Sequence, residues 1–530
     1  MARAAARQQS NVVPLGRRAQ MSRAVTASIP SPVGGWNARD ALANMAPTDA
    51  VYLENMFPSV SNVNLRGGYS KHVTGLPSTV DSLLTYNAGS TVKLFAVSDE
   101  KIFDVTSAGS ATSAVVVSLS NSAWEYTNVT TGGGSYMYAA NGVDKPLLYN
   151  GTTWTPIDGS SSPAITGVTT TDLESPTLFK NRMWFIQKNT LKAWYLPVAS
   201  VGGAANVLDL SSVMHLGGKL TAMATWTIDA GYGVDDNLVL ISDKGEVAVY
   251  RGTDPTSAAT WALIGVWVIG QPISRRCVTK YGGDLLILTL DGLIPFASAL
   301  QSSRLDPNIA LSDKIQGAFA NAARTYKDTF GWALLYNPLN NALIVNVPVA
   351  SGQQQFVMNN ITKAWCNFTG WNASSWALVG SEPYFGGNTY VAKAWTTGDN
   401  GYMDDGQPIP TKALQAFNYF ETRGVVKYFT RARPSIFSNG QPNVVIGINT
   451  DFQVADQTGA LSFSPSVAGL WDIGSWDVAL WGSDVVISNN QAGVTGIGYS
   501  GAISFSSISK NLQVQWASTD VVYQIGWAGI

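Results

Sequence analysis

Seven times along the chain an apolar run, a short polar turn and a second apolar run follow one another. The copies are "LFAVSDEKIFDV" from Leu94, "YMYAANGVDKPLLY" from Tyr136, "MWFIQKNTLKAWYL" from Met183, "LVLISDKGEVAVY" from Leu238, "LLILTLDGLIPFA" from Leu285, "LIVNVPVASGQQQFVM" from Leu343 and "TYVAKAWTTGDNGYM" from Thr389. Asn141-Gly142, Lys244-Gly245, Asp291-Gly292 and Asn400-Gly401 supply the turn chemistry of hairpins. The starts lie 42, 47, 55, 47, 58 and 46 residues apart, close to the period of about 40–50 residues of a propeller blade. A series of sandwiches satisfies the same local pattern. The repeat favours a mainly β protein, a β-propeller of six or seven blades over residues 29–412.

Beyond residue 413 the texture changes. "VVKYFTRARPSIFSNGQPNVVIGINTDF" (425–452) and "LQVQWASTDVVYQIGW" (512–527) read as longer alternating strands, so a C-terminal β-sandwich-like domain is expected over 413–530. "WALIGVWVIG" (261–270) reads as a buried strand. Few short helices are expected. The clearest is "SDKIQGAFANAARTY", where Ser312 is placed to cap and Ile315, Phe319 and Ala322 share a face.

Composition sharpens this picture. Only 13% of residues are charged, about half the usual fraction near 25%. Seven of the acids are Glu and 28 are Asp; Asp favours turns and caps where Glu favours helices. The formal charge of −2 is unevenly spread. Residues 1–28 carry Arg3, Arg7, Arg17, Arg18 and Arg23 without an acid, which leaves 28 basic against 35 acidic residues, or −7, for the rest. This stretch reads as a flexible or docking arm, a candidate contact with a partner or with DNA. It is Arg-rich like a mitochondrial presequence and lacks the apolar centre of a secretory signal. No apolar run reaches the length of about 18 residues that a membrane-spanning helix needs. Cys277 and Cys366 make no disulfide framework.

Candidate chemistry is thin. His72 and His215 are the two histidines, neither near a Cys or carboxylate at metal spacing. Gly496, Gly498 and Gly501 match G-x-G-x-x-G, but "AISFSSI" follows as a strand where a helix N-terminus is required. In "GDNGYMDDGQPIPTK" (398–412), Asp399, Asp404 and Asp405 fail the calcium-loop spacing, since Asp404 stands where Gly is needed and Pro410 where Glu is needed. "TGDNGYM" is closer to the Asp-box turn of sialidase-type propellers, so a bend is expected. Trp365, Trp371 and Trp376, and Trp471, Trp476 and Trp481, are blade-packing or interface candidates, with a sugar platform as the alternative. No catalytic residue, cofactor or metal site is assigned, and the chain is not expected to be an enzyme.

"GGWNARDALANMAPTDAVYLENMFPSVSNVNLRGGYSK" (34–71), "ITKAWCNFTGWNASSWA", "YFGGNTYVAKAWTTGDNGYMDDGQPI", "YFTRARPSIFS" and "WDIGSWDVALW" together resemble, in the same order, the tail hub or nozzle family of short-tailed bacteriophages. The resemblance runs from about residue 29 to the C-terminus. It implies a virion protein that forms a homo-hexameric ring beneath the head-to-tail adaptor, encloses the DNA exit channel, retains and then releases the genome, and offers surfaces to tail fibres or tailspikes. The alternative is a propeller that binds or hydrolyses host-surface glycans. That reading requires a carboxylate pair and clustered arginines in one pocket, and Arg275-Arg276 and Arg431/Arg433 are the groupings available. An outer-membrane barrel is a weaker third.

Overall fold

The computed structural model describes residues 24–229, 234–301, 309–398, 401–440, 442–455, 461–462, 486–488 and 491–526. Seven antiparallel blades follow one another. Blade two is the plainest, a meander of Glu125–Thr131, Gly134–Ala140, Leu147–Tyr149 and Trp154–Pro156. Blades three and four repeat it, starting at Leu173–Phe179 and Leu220–Asp229. Blade five has three strands from Val278–Tyr281 to Gly292–Pro295. Blade six starts at Ala333–Asn337 and blade seven at Ser375–Val379. The first strands of successive blades are neighbours, and that of blade seven returns to that of blade one. The fold is therefore a closed seven-bladed β-propeller.

One strand closes the ring. Gly68–Ala88 is 21 residues long. Its first half pairs with Asn388–Thr396 of blade seven, and its second half pairs with Thr91–Ser98 to open blade one.

The apolar hairpins fall on the second and third strands of blades one to six because both faces of these strands are covered. Met137 and Ala139 pack with blade one, while Tyr138 packs with blade three. Trp184 and Ile186 face blade four, while Met183 and Phe185 face blade two. Leu238 and Leu240 face blade three, with Val239 and Ile241 on the other side. Strand alternation thus divides each run between two interblade cores. Edge-to-face rings such as Tyr138 and Phe185, 5.4 Å apart, fill the space between blades.

The hairpin expected from Thr389 is displaced. Asn388–Thr396 is a third strand, and its hairpin partner is Glu382–Gly386 upstream. "WALIGVWVIG" is corrected too. Trp261–Val268 is the outermost strand of blade four, with Leu263, Ile264 and Val268 exposed at 42%, 49% and 60%. Among the described residues no strand pairs with its outer edge. The helix forms at Gln316–Tyr326, with Ile315, Phe319 and Ala322 buried. Ser312 does not cap it; its Oγ accepts from the Leu293 N–H at 3.0 Å.

The second unit is a two-sheet sandwich drawn from both flanks of the propeller. In one sheet, Lys427–Ser438 pairs with Val514–Ile525, which also pairs with Ala24–Pro30. In the other, Asp49–Glu54, Ile409–Gln415, Gly501–Ser509 and Asn443–Thr450 lie side by side. Residues 24–65 therefore join strands of the region expected at 413–530, and the expected boundary at residue 28 falls inside a strand. Phe505 and Trp516 stack across the sandwich core, centroids 4.8 Å apart. Through the Glu54–Asn367 pairing the second sheet continues into blade six, making one ten-stranded sheet.

Candidate functional site

Two polar constellations stand out. The first lies where sandwich and propeller meet. Arg66 follows Val63–Leu65 and is 1% exposed. Its Nε donates to Asn55 Oδ1 at 2.8 Å, Nη1 to Gly67 O and Asp404 Oδ1 at 2.9 Å each, and Nη2 to Thr369 O and Asp404 Oδ2 at 2.6 Å each. All five N–H donors are used. The guanidinium also lies 4.9 Å from the Trp371 ring. Asp405 turns outward to Lys71, 2.7 Å away. Asp404 and Asp405 thus lie in a bend, as expected of the second turn, and Asp404 neutralises a buried arginine; Asp399, on which the Asp-box reading rests, lies outside the described residues.

The second is the propeller axis. A cavity of about 550 Å³ runs along it, lined by the first strands of all seven blades. Arg275 and Arg276, on the segment entering blade five, cross one mouth of it. Arg275 Nη1 donates to Glu174 Oε2 at 2.8 Å, and its Nε lies 3.4 Å from Glu125 Oε1. Ser175 Oγ donates to the other oxygen of Glu125. Arg276 Nη2 donates to Ser82 Oγ at 2.7 Å and to Trp124 O at 3.2 Å. Two consecutive side chains thereby tie blade five to blades one, two and three.

Burial dominates the electrostatics here. It lowers the Arg276 pKa and raises that of Asp81, which faces Arg276 without a hydrogen bond among the described residues. Burial also raises Glu174, an effect that Arg275 opposes and Glu125 reinforces. The Cys277 thiol next along the chain is pushed up to about 12 by burial, so it is a packed apolar group, not a nucleophile.

Of the groupings weighed from sequence, Arg275-Arg276 is brought to carboxylates, whereas Arg433 pairs with Asp520 and Arg431 with Gln491 on the exposed side of the sandwich. Arg3, Arg7, Arg17, Arg18 and Arg23 lie outside the described residues, as do Trp471, Trp476 and Trp481. Trp365 and Trp371 are fully buried, so neither offers a platform. His72 Nε2 sits 3.0 Å from Val105 O, and His215 lends its backbone N–H to Glu246. Gly501 opens a strand, not a helix. Among the described residues no three His, Cys, Asp or Glu side chains are grouped to hold a metal, and no helix is long and apolar enough to cross a membrane. Sequence reasoning missed Asp81, Glu125 and Glu174. All three lie near the start of a blade's first-strand segment, 13, 11 and 9 residues before the quoted hairpins, a signal that aligning the repeats would have exposed.

No family model and no curated protein matches the chain. Among solved structures it is similar to BBS1N in complex with ARL6DN (10% identity, 62% of this chain and 97% of that one, TM-score 0.38). It is also similar to the Cps50 (Swd1) β-propeller domain of Myceliophteria thermophila (12%, 62% and 100%, 0.38). A third is the extracellular domain of the putative hybrid two component system BT3049 from B. thetaiotaomicron (10%, 81% and 59%, 0.42). The propeller assignment rests on the chain's own strand pairing.

Proposed function

We propose that this chain is a structural virion component, a nozzle or hub subunit of a short-tailed bacteriophage, six copies of which form a ring below the adaptor. What supports the reading is where the residues of the sequence resemblance lie. Segments far apart in sequence converge on the junction: Asn55 and Arg66 from the first, Thr369 and Trp371 from "WCNFTGW", Asp404 from "GYMDDGQ". A buried, saturated clamp between two units is a load-bearing device, and the shared ten-stranded sheet stiffens the same junction. In this reading DNA leaves along the axis of the ring of subunits. The propeller's own axis is crossed at one mouth by Arg275 and Arg276, and this reading gives it no part in DNA passage. Immunogold electron microscopy of phage particles from the source lysate, with antibody to this chain, tests the assignment. Label on the short tail between capsid and tip is expected; clean tails, or label confined to peripheral fibres, would overturn it.

One observation favours a second reading, a glycan-recognition propeller. Glu125 and Asp328 line one cavity with Arg275 and Arg276 at one mouth of the channel, the combination of carboxylates and arginines that such a protein requires.

A further inference from the structure

A smaller cavity of about 360 Å³ opens at that mouth, lined by Glu125, Arg275, Arg276, Lys327 and Phe330 among others. Its size is that of a pocket for a small ligand. Three features make it more than a crevice. Arg276 spends only Nη2 on the protein, so Nε and Nη1 have no hydrogen-bond partner among the described residues. Both two-donor edges of the guanidinium include Nη2, so what Arg276 offers the cavity is a single charge-assisted N–H from Nη1, a donor to one carboxylate oxygen. Phe330 is 47% exposed although it is a large apolar ring, and the Arg276 guanidinium lies 5.3 Å from its centroid. An exposed ring at a pocket wall offers a flat apolar face beside the charge. Finally, Glu125 brings acceptor oxygens and Lys327 further donors to the same space.

We propose that this mouth is a binding site for a carboxylated sugar ring, one carboxylate oxygen accepting from Arg276 Nη1, the apolar face of the pyranose on Phe330, and a hydroxyl donating to Glu125. This inference rests on the glycan-recognition reading and gives it a place and a ligand class. A polyanion such as a nucleic acid backbone fits less well, because Glu125 and Asp328 line the same cavity and would repel a second charge. A neutral sugar presents only hydroxyl oxygens to Arg276, a weaker acceptor than a carboxylate.

The test is saturation-transfer NMR on the full chain with glucuronate, and with glucose as the neutral comparison, each up to about 10 mM, the range in which a weak site of millimolar affinity is filled. Saturation of glucuronate and not of glucose is expected. Arg276→Gln should weaken binding about tenfold, the worth of a charge-assisted hydrogen bond. Arg276 also braces Ser82 and Trp124, so Phe330→Ala, on a half-exposed ring, is the variant that leaves the fold intact; it should weaken binding severalfold. Equal binding of glucose, or no binding of glucuronate, overturns the proposal. Glucuronate binding that survives both substitutions also overturns this site while leaving the glycan reading standing elsewhere on the chain. A chain that binds neither sugar and no member of a glycan array loses both.

Discussion

Arg66 and Asp404 form a buried two-point ion pair, with N–H···O distances of 2.9 and 2.6 Å, between the strand that leaves the sandwich and the bend that leaves the propeller. Removing one partner of such a pair leaves a charge in low dielectric, which costs about 3–5 kcal/mol. Arg66→Met and Asp404→Asn should each lower unfolding free energy by that order in urea titration. The double variant Arg66→Met/Asp404→Leu should lose less than the sum. A loss below about 1 kcal/mol in either single variant would mean the clamp does not hold the junction.

The neighbouring pair behaves differently. Lys71 and Asp405 are 2.7 Å apart but each side chain is about a third exposed. Water and salt screen such pairs to about 0–1 kcal/mol. Lys71→Gln should leave the melting temperature almost unchanged. A large drop would show that the closing strand depends on this contact.

Ring closure depends on a glycine. A Cβ on Gly68 would stand 1.9 Å from the Met403 carbonyl oxygen, whereas one on Gly493, in an exposed strand of the sandwich, would meet nothing within 4 Å. Gly68→Ala should cost about 3 kcal/mol or more, by forcing the closing strand off its partner. Gly493→Ala should melt with the parent protein. Thermal melts of the two variants side by side check this, and equal melting temperatures would refute it.

Asp520 accepts from Arg433 Nη2 at 2.5 Å, and that hydrogen bond is the main cause of its lowered pKa. A carboxyl depressed in the folded state contributes stability above its unfolded pKa, near 4, and loses it as pH falls through the folded value. Asp520→Asn should therefore melt slightly lower than the parent at pH 7, by about 0.5 kcal/mol for a pair this exposed, and the gap should close as pH falls below the unfolded pKa and through the folded one. A gap that persists in acid would assign the effect to packing.

The propeller was legible because its period and its two-faced apolar strands are local properties. Leu238 to Ile241 read as one apolar run since neighbouring blades cover both faces. The last blade was misplaced because its outermost strand comes from Gly68–Ala88, which no pattern near Thr389 announces. The same reason hid the contribution of residues 24–65 to the sandwich, where Ala24 meets Gln524. Trp261–Val268 misled through composition, since an uncharged apolar strand looks buried even at a blade's edge. At the channel mouth Ser82, Glu125, Glu174 and Arg275 belong to four different parts of the ring. Only closure of the ring brings them together, so aligning the repeats marks Glu125 and Glu174 without showing that both meet Arg275.

The closing strand also sets an order of events on the ribosome. Gly68–Thr79 is synthesised early and stays without its partner until Asn388–Thr396 emerges, after nearly the whole ring has been made. Ala24–Pro30 waits longer still, for the final strand Val514–Ile525. Pairings this distant are slow and leave strand edges open in the meantime. The nascent chain thus holds several finished blades with two unmatched edges, the state in which a neighbouring copy competes with the chain's own later strands.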